Sequence, residues 1–188
     1  MTLQPSILII SGARASGKTT FCTRIAKTLQ SNGWDVAGVL SLPIIEHGEQ
    51  VAKDAFDIRS GVRKILARIN FQDTATNEAQ TGRWIFDTKT LTWCNAVFHS
   101  SIPCDFLVID EIGPLEFNQG QGFLEALTAL DSGKYLFGIA VIRPGLLETA
   151  MQRWPTAKII EITDPNHAEQ QALQLAAELT SGIFPPTR

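Results

Sequence analysis

Short apolar runs recur along the chain at Ile7–Ile10, Val36–Leu40, Phe106–Ile109, Leu136–Ile142 and Lys158–Ile162. Most are continuous rather than alternating, as in strands buried on both faces. Between several of them the pattern switches to a helical period. Phe21, Ile25 and Leu29 fall four apart, and Asn32-Gly33 supplies a stop. Phe123, Leu127 and Leu130 mark a second helix, and Leu146, Leu147 and Met151 a third after Pro144-Gly145. The stretch TDPNHAEQQALQLAAEL predicts a fourth, with Asp164 as N-cap and Pro165 at its first position. Strands alternating with helices in this way predict an α/β fold, a mainly parallel sheet covered on both faces.

From about Ser41 to Asp87 the rhythm breaks. IIEHGEQVAKDAFDI reads as two strands around a His47-Gly48 turn, and GRWIF as another. A small antiparallel insertion (41–87) beside the parallel sheet is expected, within a single domain spanning 1–188. The insertion holds no core-sized apolar set of its own.

Composition narrows the function classes. A chain of 188 residues with 44% hydrophobic and 19% charged positions is that of an ordinary globular protein. Its net charge of -3 gives no strong nucleic-acid signal. Cys22, Cys94 and Cys104 are widely separated and show neither a disulfide framework nor metal-ligand spacing, so reduced thiols in a cytoplasmic protein are expected. Cys22 reads as a small core residue. The first residues carry no basic region, and the apolar run after them is too short for a membrane span. No obligatory protein partner is evident.

The chemistry enters where the first strand ends. GARASGKT, Gly12 to Thr19, fits G-x-x-x-x-G-K-[ST] without a gap. Gly12 and Gly17 let the backbone curl so that successive N–H groups point inward as an anion nest. The following helix adds its N-terminal partial charge. Lys18 can reach the β- and γ-phosphates, and the Thr19 hydroxyl can ligate Mg²⁺. Gly12, Ala13, Arg14, Ala15, Ser16, Gly17, Lys18, Thr19 and Thr20 are therefore the candidate contacts of a nucleoside triphosphate. The bland alternative, a glycine turn with a surface lysine, explains neither the spacing nor the flanking strand and helix.

A phosphate loop needs a metal partner, and DFLVIDEIGPLEF supplies one. Asp110 follows the apolar run Phe106–Ile109, at the strand end where ligands collect in open α/β sheets. It is the candidate second Mg²⁺ residue beside Thr19. Glu111 is placed to orient or deprotonate a water that attacks the γ-phosphate, so Glu111 and Lys18 are the catalytic candidates. Arg143, after the strand LFGIAVI, is a weaker candidate for the transferring phosphate, since a strand-exit arginine more often pairs with a surface carboxylate. Asn166 and His167 could border a base pocket or merely start a helix.

The loop, VIDEIGPLEF, GVLSLPIIEHGEQVAKDAFDI and EITDPNHAEQ occur in the order seen in the thermophile-type P-loop nucleoside-triphosphatases, whose animal members are called cancer-related nucleoside-triphosphatases. The chain resembles this family over nearly its whole length, most strongly at Ile109–Glu116. The resemblance implies a three-layer P-loop fold with a RecA-like sheet and Mg²⁺-dependent hydrolysis of ATP- or GTP-type nucleotides to diphosphate and phosphate, with broad base tolerance. The chain departs from the family pattern in three places. Arg14-Ala15 stands where the loop usually has Pro-Gly, Pro43-Ile44-Ile45 where relatives often have Glu-Val-Arg, and Asn166-His167 where they commonly have Asn-Arg. Two other functions use the same loop: a nucleotide or small-molecule kinase, and a slow nucleotide-binding switch. No arginine-rich lid favours the kinase, and no guanine-reading N-K-x-D stretch favours a GTP switch.

Overall fold

Alternation within each apolar run sorts its side chains onto two faces, and two cores result. In the computed structural model, which describes residues 5–70 and 79–181, Leu8, Ile10, Phe106 and Val108 enter one core. Ile9, Leu107 and Ile109 enter the other. The strands in chain order are β1 (Ser6–Ser11), β2 (Val36–Glu46), β3 (Glu49–Asp57), β4 (Arg63–Ile69), β5 (Gln80–Thr81), β6 (Trp84–Phe86), β7 (Phe106–Ile112), β8 (Phe137–Ile142) and β9 (Lys158–Glu161). The helices are α1 (Lys18–Ser31), α2 (Thr88–Ser101), α3 (Pro114–Gln119), α4 (Leu124–Ser132), α5 (Leu147–Arg153) and α6 (Ala168–Ser181).

Among the described residues the strands form one nine-stranded sheet, ordered β5-β6-β4-β3-β2-β7-β8-β1-β9. The half from β2 to β9 is parallel. The half from β2 to β5 is antiparallel. Phe21, Ile25 and Leu29 of α1 and Ala168, Ala172 and Ala176 of α6 cover one face. Leu91, Cys94 and Phe98 of α2 and Leu127 and Leu130 of α4 cover the other, together with Trp84 and Phe86 of the antiparallel half. This is the expected mixed α/β arrangement.

Several elements differ from the sequence reading. β2 does not stop at Leu40 but runs on to Glu46, so the antiparallel half grows out of a parallel strand. His47 and Gly48 both have positive φ, 50° and 82°, which suits the tight turn into β3. Residues 71–78 of the expected insertion lie outside the described residues. β4, α2 and α3 have no counterpart among the expected elements. Asp87 caps α2 by accepting from the Thr90 amide at 2.7 Å. Asp164 and Pro165 do not open α6, which begins at Ala168. Asp164 instead closes a turn, accepting from the Asn166 amide at 2.9 Å and bonding the His167 ring at 2.8 Å.

Candidate active site

The carboxyl end of β1 leads directly into the glycine loop. Gly12 and Gly17 have φ of 151° and 97°. Both also sit where no side chain fits: a Cβ on Gly12 would lie 2.2 Å from the Ile162 carbonyl oxygen, and one on Gly17 would lie 2.9 Å from Pro165 Cα. The turn Asp164–His167 therefore packs against the foot of the loop, which puts the exposed Asn166 and His167 on its rim. Helix α1 starts at Lys18 with no side chain capping it and no acidic residue in its first turn. Its first amides are left free to meet an anion. Arg14, Ala15 and Thr20 are exposed, Ser16 is buried, and Lys18 and Thr19 lie between these extremes.

Lys18 is turned onto the loop itself. Its ammonium donates to the carbonyls of Gly12 at 2.9 Å and Ala13 at 2.5 Å. Burial holds its pKa below the ordinary lysine value, against the pull of Asp110. Ala15 has φ 61°, in the left-handed region that favours glycine. The departure from the family's Pro-Gly pair thus falls on a backbone position that is strained without glycine.

Asp110 and Glu111 are part of β7 rather than a loop after it. Ile109 pairs with Ala140 and Ile112 with Ile142, so β7 carries one residue more than β8 at this point. Neighbours in a regular strand point to opposite faces. Asp110 accordingly turns to the α1 face, where it meets Thr19 and Cys22, and Glu111 turns to the other, where it meets Lys53 beside Trp84; both stay within electrostatic reach of Lys18. The β2–β7 ladder has already ended at Val39 and Ile109. Past its end, the Ser41 amide donates to Asp110 Oδ2 at 3.0 Å.

Asp110 is only 4% exposed, and its other oxygen, Oδ1, has no hydrogen-bond partner. Burial pushes its pKa up to about 7, against the Ser41 amide and the Thr19 hydroxyl. A buried carboxylate with a vacant oxygen beside a hydroxyl is a donor set suited to Mg²⁺, which takes oxygen ligands and is often held by one or two carboxylates. The residues present fit the metal that the fold family implies. Cys22 is buried as expected, and its thiol also lies against Asp110, which with burial raises its pKa.

Glu111 has the opposite environment. Lys53 Nζ donates to its Oε2 at 2.5 Å and Arg143 Nη2 to its Oε1 at 3.2 Å. Burial works against its charge, but the two cations prevail and hold its carboxyl below the usual range. Two adjacent carboxylates are thus driven apart, one upward and one downward, which separates the roles they can take.

A family model described as NTPase matches residues 7–173, which span the loop, the antiparallel strands and the bulge. The chain belongs to this NTPase family. Among its relatives, nucleoside-triphosphatase THEP1 of Pyrobaculum islandicum is 28% identical over 108 residues, 57% of this chain and 58% of that protein. Nucleoside-triphosphatase THEP1 of Pyrobaculum aerophilum is 31% identical over 122 residues, 63% of this chain and 65% of that protein. Each match leaves more than a third of the relative's length uncovered. The solution structure of a human cancer-related nucleoside triphosphatase is similar with a TM-score of 0.69 at 20% identity, covering 95% of this chain and 99% of that one. The crystal structure of THEP1 from Aquifex aeolicus is similar with a TM-score of 0.62 at 19% identity, covering 90% and 96%. At these identities the structural likeness concerns the fold.

Within this candidate site, sequence reasoning missed Lys53, Ser41 and Glu116. Lys53 lies directly across the hairpin from Pro43, where the chain departs from the family's Glu-Val-Arg. Glu116 is buried and accepts from the amides of Gly113 at 2.7 Å and Phe123 at 2.8 Å, which ties α3 to the start of α4. A signal for Glu116 was available, because a glutamate three residues after a helix-opening glycine has the spacing of a capping box. Among the described residues no group of three or more His, Cys, Asp or Glu could hold a metal, and no helix is long and apolar enough to cross a membrane.

Proposed function

We propose that the protein hydrolyses nucleoside triphosphates of the ATP or GTP type to diphosphate and phosphate, with Mg²⁺ as cofactor. The observation that carries this reading is the end of β7, where the adjacent Asp110 and Glu111 both lie within electrostatic reach of Lys18. The loop amides and the first turn of α1 would bind the phosphate chain. Lys18 would exchange the loop carbonyls for phosphate oxygens, which are charged acceptors and so stronger partners. Thr19 and Asp110 are the residues that would hold Mg²⁺. When bound, Mg²⁺ neutralises charge on the β- and γ-phosphate oxygens.

Glu111 would orient a water toward the γ-phosphorus and accept its proton. As the new P–O bond forms, the bond from that phosphorus to the bridging oxygen breaks, and its electron pair leaves with the diphosphate. Glu111 next to Asp110 offers a carboxylate that can act on water beside the metal residue, which supports this reading over a kinase or a slow switch. The single sheet that takes in the antiparallel strands supports one domain. The three buried free cysteines support a reducing, cytoplasmic setting.

The test is phosphate release from a panel of nucleoside triphosphates, with and without hydroxyl acceptors. The reading expects Mg²⁺-dependent release to water that added acceptors do not increase. Turnover that appears only with an acceptor would make the protein a kinase, and tight binding without turnover would make it a switch.

A further inference from the structure

Lys53 comes from β3, and β2 lies between it and β7. Its side chain is only 13% exposed, and its ammonium lies 4.9 Å from the ring centroid of the buried Trp84 on β6. Burying a lysine charge is costly unless it is paired. Its ion-pair partner, at 2.5 Å, is Glu111. The antiparallel half of the sheet therefore builds a partly dry seat for one cation and aims it out of that half, at the carboxylate read above as the water-activating group.

The second cation differs. Arg143 pairs with Oε1 at 3.2 Å, and its side chain is 53% exposed. An exposed pair of this kind is screened and weakly held. The terminal torsion of a glutamate is soft and roughly two-fold, so an unanchored carboxylate would turn freely. Lys53 fixes one of its oxygens.

We propose that Lys53 is the positioning residue for Glu111: strand β3 supplies the ammonium, seated beside Trp84 of β6, that pins Oε2 and leaves Oε1 to face the attacking water. This rests on the reading of Glu111 as the group that activates water. It makes the antiparallel half a working part of the active site. A plain structural brace between the two halves of the sheet would use the same contact, but it would act on stability and not through Glu111.

A double-mutant cycle in single-turnover phosphate release separates the two roles. The variants are Lys53→Met, Lys53→Arg, Glu111→Gln and the Lys53→Met/Glu111→Gln pair, each at saturating Mg²⁺-triphosphate. Lys53→Met should slow release by about 10- to 10²-fold, the scale of a small misplacement of a reacting group, with nucleotide affinity unchanged. Lys53→Arg should recover most of the rate. In the Glu111→Gln background, Lys53→Met should cost nothing further, because the group it positions has already lost its function. Lys53→Gln, which keeps a donor without the charge, is measured beside Lys53→Met and carries the same test if the methionine variant fails to fold.

A large loss from Glu111→Gln with none from Lys53→Met or Lys53→Gln would overturn the proposal and leave the Glu111 reading intact. Equal losses from Lys53→Met in both backgrounds would also overturn it, in favour of a structural brace. No loss from Glu111→Gln would refute the Glu111 reading itself, and this proposal with it.

Discussion

The Ser41 amide donates to Asp110 Oδ2 at 3.0 Å, just past the point where the β2–β7 ladder ends at Val39 and Ile109. A carboxylate takes over from a sheet hydrogen bond, and the other oxygen of that carboxylate stays vacant in a buried site. One side chain thus links β2 to β7 past the end of their ladder and is the candidate holder of a metal.

This dual position sets up a paired expectation for Asp110→Asn. Asparagine can still accept from Ser41 through its carbonyl oxygen, and it removes a charge whose burial is unfavourable. The protein without nucleotide should be no less stable than the wild type, as read by urea unfolding. Triphosphate affinity should fall much more with Mg²⁺ present than without it. Equal losses of affinity in both conditions would mean that Asp110 only holds the strands together.

Ala15 gives a test of the loop's backbone. An L-residue in the left-handed region costs about 1–2 kcal/mol, and replacing it by glycine returns part of that as roughly 0.5–1 kcal/mol of lost chain entropy. Ala15→Gly should therefore stabilise the fold by about 0.5–1 kcal/mol in equilibrium unfolding. A destabilised variant would show that the loop does not hold φ near 61° at this residue.

The site was legible where the chemistry is local. Gly12, Gly17, Lys18 and Thr19 sit at fixed offsets, and each spacing follows from wrapping a backbone around phosphate. Asp110 and Glu111 were legible as acidic residues after an apolar run. The bulge beside them was not, because it is a mismatch of register against β8, a strand about thirty residues away. Lys53 was hidden for the same reason. One lysine in a half-polar strand looks like a solvated position, and only its place in the sheet shows that it meets a residue 58 positions away. The helix α2 escaped because Thr88, Thr90, Thr92, Trp93, Val97 and Phe98 give it weak helix propensity. The burial of Leu91, Cys94, Val97 and Phe98 settles its structure instead.

Because α2 has weak intrinsic propensity, its cap should matter. Asp87 accepts from the Thr90 amide, and this bond holds its carboxyl below the ordinary aspartate value. Asp87→Ala should cost about 1 kcal/mol at neutral pH, the usual scale for a lost N-cap. A depressed folded-state pKa contributes stability that is complete above the unfolded value and is lost as pH falls through the folded one. The gap between wild type and Asp87→Ala should therefore narrow in acid, at a pH below the ordinary 3.8. A gap that stayed constant through acid would show that the charge on Asp87 plays no part in the cap.

The central claim is that Glu111 acts on water. Glu111→Gln keeps the size of the side chain and removes its capacity to take a proton. Single-turnover phosphate release at saturating Mg²⁺-triphosphate is the measurement that tests this most directly. The account predicts that nucleotide affinity changes little while the rate falls by about 10²- to 10⁴-fold, the contribution of a general base. A folded Glu111→Gln protein that releases phosphate as fast as the wild type would contradict it.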